Sequence, residues 1–480
     1  MASNSHTITV IEHCRISPPP DTVAENSIPL TFFDLLWLNL SPFSRVLFYD
    51  FNGTRTDFAQ DLVPKLKTSL SLALQHYFPF AGNLVTPTTY NDGICISTKT
   101  TIRYLDGDSV SLTVAECDAD FIRLTGNQSR DIDELSCLAP QLSPGFQEHS
   151  LNGGCEVQVS SVLAIQVTYF PGQGICIGFT NSHAVADGRT IFNFIRAWGL
   201  IAKSSPLNLS DDASLYNCSK LFKLPFYDRS VIKDPEGNLA AIYMSQKEKS
   251  YSHVPPILAP APAKKVRATL VLAQTNIEAL KKLVSTKLPR LPHISSLTVT
   301  CGYIWSCLAK VRNAIDSTVE DEEQHLMLAV DCRARLDPPV PETYFGNCIT
   351  SCLITTKNSQ LVRERGEGFI RATELIGESI YKKLNGGILV GAEMWYEDFK
   401  VVKTKWKRER VLGIAGSPNF YFYDTDFGWG RPRKYEFISQ KLSITRCRDV
   451  IADIEVGLCL TEDEMVSFSS IFWEGLLKLS

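Results

Sequence analysis

Between Ser204 and Lys265 the regular alternation of strand-like and helix-like segments breaks off. This interval contains SSPLNLSDDASLYNCSK and SHVPPILAPAPAKK, both rich in small, polar and proline residues. The second has the composition of a stiff, extended linker. Periodic sequence resumes beyond it, so the 480-residue chain divides into two halves of similar size, 1–203 and 266–480, joined by the crossover 204–265. With 44% hydrophobic residues, each half can bury a core of its own, and the halves are expected to meet across one interface. No short-period repeat is evident, which argues against a solenoid.

Each half reads as mixed α/β. DFAQDLVPKLKTSLSLALQHYF (57–78) repeats apolar residues at helical spacing and stops before Pro79. VLAIQVTYF (162–170) and GICIGFT (174–180) are β-branched and aromatic runs separated by PGQ, which predicts a hairpin. GRTIFNFIRAWGLIAK then returns to a helical period, placing the helix N-terminus near Asp187. In the second half KVRATLVLAQTNIEALKKLV reads as strand, then helix.

Several kinds of chemistry are disfavoured. A formal charge of −4 and a pI near 6.1 argue against binding that rests on neutralising a nucleic-acid backbone. The 14 cysteines are scattered with no CxxC, which suggests reduced, mostly buried thiols in a cytosolic protein; no metal site is expected. The N-terminus lacks the charged and apolar regions of a signal peptide, and no apolar run is long enough to span a bilayer. GxSxG and GxxxxGK[ST] are absent, so neither a serine-hydrolase elbow nor a phosphate-binding P-loop is expected.

Two constellations remain. In FTNSHAVADGRT (179–190), His183 follows an apolar strand and precedes a helix, where a side chain can be presented to a cleft. Imidazole titrates near neutrality and can act as a general base. Asp187, four residues on, could orient that ring, cap the helix, or brace the turn through a distant arginine; bracing is favoured because a tight connection need not turn the carboxylate to the ring. In YDTDFGWGRP (423–432), two turn glycines, large rings and Asp426 read as a rigid loop. The DFG within it lacks the other kinase segments.

Taken together and in order, LTFFDLLWLNL (30–40), HYFPFAGNL (76–84), NSHAVADG (181–188), YFGNC (344–348) and DFGWGRP (426–432) resemble the plant BAHD acyl-CoA-dependent acyltransferases almost end to end. YFGNC, LTFFD and AGSPNFYFYDTDFGWG resemble the branch that acylates anthocyanins and other phenolic glucosides, often with malonyl-CoA. AGSPNF stands where shikimate-type hydroxycinnamoyl transferases carry an SWTRLP-like segment.

The resemblance implies a chloramphenicol acetyltransferase-like α/β fold: two similar-sized lobes, each with a mixed sheet and helices, and a channel between them. His183 would be the base, Asp187 a structural brace paired with Arg333, and Asp426 structural or secondary. Gly188, Gly428, Trp429 and Gly430 would be structural, and HYFPFAG packing. Arg267, from the AKKVR cluster (263–267), and Ser295 and Ser296 would contact CoA; KTKWKRER (403–410) reads as a solvated basic face. Phe33, Asp34 and Trp37, with Phe32, would wall the acceptor, and Arg189 is a candidate for the malonyl carboxylate.

The implied activity is malonyl transfer from malonyl-CoA to a sugar hydroxyl of a phenolic glucoside, with no tightly bound cofactor and no acyl-enzyme. The alternatives are a hydroxycinnamoyl donor, coumaroyl or caffeoyl, and a catalytically silent CoA- or phenolic-binding sensor; a thioesterase is disfavoured. The expected setting is a cytoplasmic monomer acting on small molecules, without nucleic-acid or membrane partners.

Overall fold

The computed structural model describes residues 7–87, 99–149, 156–204, 222–234, 237–248, 264–316, 322–398, 410–438 and 441–478. With strands numbered along the chain, the first sheet has six in the order β1 (Ile8–Ile16), β6 (Val110–Cys117), β10 (Leu163–Phe170), β11 (Gly174–Asn181), β3 (Phe43–Asp50) and β16 (Lys434–Phe437). The second has seven: β14 (Ile349–Lys357), β13 (Glu323–Asp331), β15 (Val411–Ala415), β17 (Leu442–Arg446), β18 (Ile454–Thr461), β12 (Lys265–Leu272) and β7 (Arg130–Asp131). Both are mixed, with β6–β10, β13–β15 and β15–β17 the parallel pairs. A third, antiparallel sheet runs β2 (Asn26–Pro29), β5 (Thr101–Tyr104), β4 (Asn83–Pro87), β9 (Glu156–Ser161) and β8 (Phe146–His149); the sequence reading had no place for it.

Local chemistry explains the elements around the site. β10 and β11 form the expected hairpin, and every residue of both strands is buried. Their near-continuous apolar runs are what a strand covered on both faces requires. The following helix, Gly188–Lys203, begins where Asp187 accepts a hydrogen bond from the Thr190 N–H. Its apolar face packs against the helix Val63–His76, where Trp198 Nε1 donates to Ser69 Oγ at 3.0 Å.

The two halves do not part as cleanly as the composition suggests. β16, from the second half, pairs with β3 of the first sheet, and β7, from the first half, pairs with β12 of the second. Glu436 of β16 fastens the exchange: Oε1 accepts from Arg130 Nη2 and Oε2 from Arg267 Nε, both at 2.6 Å. Burial opposes the Glu436 charge, but Arg130, Arg267 and Lys434 outweigh it and hold the carboxyl well below its ordinary range.

The crossover is also more than a linker. Its described part contains the helix Leu239–Glu248 and a one-residue bridge from Phe226 to Tyr344. The Tyr227 hydroxyl donates to the His76 carbonyl at 2.5 Å, and that of Tyr243 donates to the Ala392 carbonyl. The segment is therefore tied to both halves.

Candidate active site

A cavity of about 1080 Å³ is lined by residues of the six-stranded and seven-stranded sheets. Phe43, Arg45 and Phe437 contribute from the first sheet, Met327, Val330 and Ile414 from the second, and His183 lies at the wall just beyond β11.

The His183 ring is held by contact rather than by a carboxylate. Trp37 stacks on it, with centroids 4.0 Å apart and planes at 19°, and Phe43 meets it edge-on at 4.8 Å. Its Nδ1 has no hydrogen-bond partner among the described residues. Burial pulls the imidazole pKa down to about 4; Asp187 opposes this and Arg45 adds to it. At neutral pH the ring is therefore uncharged and able to accept a proton. The acid limb of kcat/KM is expected near pH 4, where His183 gains its proton, with a flat profile from about pH 5.5 to 8. A limb at the ordinary imidazole value of about 6.5 would contradict this environment.

Asp187 does not complete a triad. Oδ1 is taken by the Thr190 N–H at 3.0 Å, while Oδ2 accepts from Arg333 Nη1 at 2.8 Å and the Cys348 N–H at 3.2 Å. Burial alone would raise its pKa, but the Arg333 charge and these hydrogen bonds reverse that and leave it below the carboxylate norm. Of the three roles open from sequence, the carboxylate thus fills two, cap and brace.

YFGNC is the point where these parts meet. Arg333 Nη2 donates to the carbonyls of Tyr344 and Gly346, each at 3.2 Å. Asn347 Nδ2 donates to the His183 carbonyl at 2.8 Å and to Asp34 Oδ1 at 2.9 Å. Segments far apart in the chain thereby hold the backbone of the histidine and fix where its ring can stand.

Several expected residues lie elsewhere. Phe33 and Asp34 are fully buried and do not line the cavity. Asp34 accepts from Thr31 and Asn347 and sits 3.6 Å from Arg229, so of the expected acceptor wall only Trp37 reaches the cavity. Arg267 corrects another expectation: it is fully buried, with Nε on Glu436 and Nη2 on Ser443 at 2.5 Å, and cannot meet a phosphate. The AKKVR run misled because a basic cluster at a strand start looks solvated, whereas β12 is an interior strand. Ser295 and Ser296 do line the cavity, with Ser295 capping the helix Ser296–Ile315. Arg189 lines it too, but Nε is 3.1 Å from Asp331. Of KTKWKRER, 403–409 lie outside the described residues, and Arg410 pairs with Glu322.

DFGWG lies away from the cavity, at the far end of the helix that Asp187 caps. Asp426 Oδ1 accepts from the Gly428 and Gly430 N–H groups at 2.7 and 2.9 Å, and Oδ2 meets Lys203 at 2.8 Å. Gly428 and Gly430 have φ of +105° and +91°, where a side chain would be strained. Trp429 stacks on Phe427, whose ring meets Trp198 edge-on. Gly188, at the near end, leaves room for Phe420: a Cβ there would stand 2.9 Å from its ring.

Asp426→Ala is therefore expected to cost about 0.5–1.5 kcal/mol, the net worth of hydrogen bonds at an exposed turn, while Asp426→Asn keeps one acceptor and most of the stability. Paired melting curves and kcat values check this. An unchanged melt with a collapsed kcat would instead place Asp426 in the chemistry.

Sequence reasoning passed over Asn347, although it lies inside a quoted motif, and Arg45. The signal for Arg45 was available: in FSRVLFYD it shares a strand face with Phe43, Leu47 and Tyr49, all buried.

A family model described as Transferase family matches residues 6–474. The chain is 41% identical over 480 residues to malonyl-coenzyme A:anthocyanin 3-O-glucoside-6''-O-malonyltransferase of Dahlia pinnata, covering 98% of each chain. It is 40% identical over 433 residues to phenolic glucoside malonyltransferase 1 of Nicotiana tabacum, covering 90% of this chain and 89% of that one. Among solved structures it is similar to vinorine synthase, with a TM-score of 0.63, 21% identity and 98% of each chain covered.

Proposed function

Because the chain belongs to the BAHD transferase family, we propose that it is an acyl-CoA-dependent O-acyltransferase that moves a malonyl group from malonyl-CoA to a sugar hydroxyl of a phenolic glucoside, such as an anthocyanin or flavonoid glucoside. The observation that carries the chemistry is the placement of His183: an uncharged imidazole on the wall of a cavity shared by two sheets, with its neighbouring carboxylate committed to Arg333. The donor and acceptor follow from likeness to relatives named for malonyl transfer to glucosides.

In this mechanism the sugar oxygen attacks the thioester carbonyl while His183 takes the hydroxyl proton. The tetrahedral adduct collapses, the C–S bond breaks, and the imidazolium returns the proton to the departing CoA thiolate. Since the thioester is already activated, the protein has to position the partners, remove the proton and stabilise developing charge. Trp37, stacked on His183, borders the cavity in which a phenolic acceptor would approach the base. Ser295 and Ser296, at the N-terminus of a 20-residue helix, suit a phosphate of CoA. The proposal takes the protein to act as a cytosolic monomer.

The test is direct. Purified protein is incubated with malonyl-, acetyl- and coumaroyl-CoA and a panel of flavonoid glucosides, and products are weighed by mass spectrometry. Malonylated glucoside is expected. Coumaroylated product alone would move the donor to the hydroxycinnamoyl class, and binding of CoA esters without any product would favour the sensor.

A further inference from the structure

Four arginines are buried among the described residues: Arg45, Arg130, Arg267 and Arg333. Three of them face a carboxylate, Glu436 for Arg130 and Arg267, and Asp187 for Arg333. Arg45 is 4% exposed, and its Nε and Nη1 are buried without a hydrogen-bond partner. No carboxylate among the described residues forms an ion pair with it; its Cζ lies 5.2 Å from the Phe437 ring centroid, and the other group that acts on its charge is the Tyr435 phenol. A guanidinium keeps its charge in proteins, and a buried charge without a counter-ion is costly.

The strand geometry shows where this cation is spent. Arg45 sits two residues after Phe43 on β3, so both side chains leave the sheet on the same face, and Phe43 touches the His183 ring. Across the sheet Arg45 is in register with Phe437. All four residues line the one cavity. We propose that Arg45 receives the free carboxylate of the acyl group, and so sets a preference for donors that carry one. The inference rests on the malonyl-transfer reading. In a malonyl thioester the carboxylate is one methylene away from the carbonyl under attack, so its receptor must stand beside the base. A guanidinium can grip both carboxylate oxygens at once. Arg189, the cation expected from sequence, is already matched by Asp331.

The experiment compares kcat/KM for malonyl-CoA and acetyl-CoA, which differ by that carboxylate, on one phenolic glucoside. Arg45→Gln is expected to lower the malonyl-to-acetyl ratio about 10–150-fold, the loss of one charge-assisted contact. Arg45→Lys should fall between, keeping the charge but not the fork. A general folding or packing defect would slow both donors alike and leave the ratio in place. An unchanged ratio in Arg45→Gln, or a ratio lost in Arg189→Gln instead, overturns the assignment. Should Arg45→Gln not fold, the native protein still decides: the neutral methyl ester of malonyl-CoA should be a far poorer donor, and equal use of ester and acid overturns the proposal. Native protein that yields no malonylated product removes the functional reading itself; native protein that malonylates while Arg45→Gln keeps its ratio removes only Arg45.

Discussion

His183→Ala is expected to lower kcat by about 10²–10⁴-fold, the usual worth of a positioned general base, with a much smaller effect on folding. The two effects separate because of where the ring stands. It lies at the cavity wall, held by Trp37 on one face and Phe43 at an edge, and its Nδ1 supports no hydrogen bond that the fold would miss. The motif is held instead through the backbone, by Asn347 on the His183 carbonyl, and that contact survives truncation of the side chain. Stopped-time product assays and melting curves on the same preparation give both quantities. Added imidazole should restore part of the rate, since the truncated side chain leaves its place open beside the acceptor. Full turnover in the variant would dismiss His183 as the base.

Asp187→Ala is expected to be the more damaging change for stability, at about 3–5 kcal/mol, the scale seen when one partner of a buried ion pair is removed. Arg333 would be left charged in an interior where its side chain is 2% exposed, with only the longer 3.4 Å pairing to the partly exposed Asp331, and the Thr190 and Cys348 N–H groups would lose their acceptor. Most of the cost is thus the stranded arginine rather than the lost attraction. It follows that Asp187→Ala combined with Arg333→Met should cost less than the sum of the two single changes, a non-additivity that denaturant titration can measure. Strict additivity would show that the pair is not coupled. The pH dependence has a definite sign. The folded-state pKa of Asp187 is depressed, so its contribution is fully present above the ordinary carboxylate value of about 3.9 and is lost as pH falls through the lower folded value.

Much of the arrangement was legible in residue order. The hairpin of β10 and β11, the helix that starts after Asp187, and the strand and helix that open the second half each announce themselves through apolar period and turn residues. His183 could be picked out because a histidine between an apolar strand and a helix N-terminus is poised to face a cleft. The same local logic failed at Arg267 and Asp34. Both have the chemistry of binding groups, and both are consumed by partners 169 and 313 residues away, Glu436 and Asn347. No window along the sequence contains such a pair. The exchange of β7 and β16 was hidden for a related reason: strands of two and four residues carry too little pattern to declare a sheet.

Composition, period and motif order are properties of neighbours in the chain, and they sufficed for the α/β class and pointed to His183 as the candidate base. Which charges are free to act is a property of neighbours in space. Folding pairs Asp187 with Arg333, and Glu436 with Arg130 and Arg267, and among the described residues leaves Arg45 beside His183 without a carboxylate. A buried charge is quiet when its counter-charge is supplied from within and available to a ligand when it is not, and that balance is struck only once the two sheets close on each other.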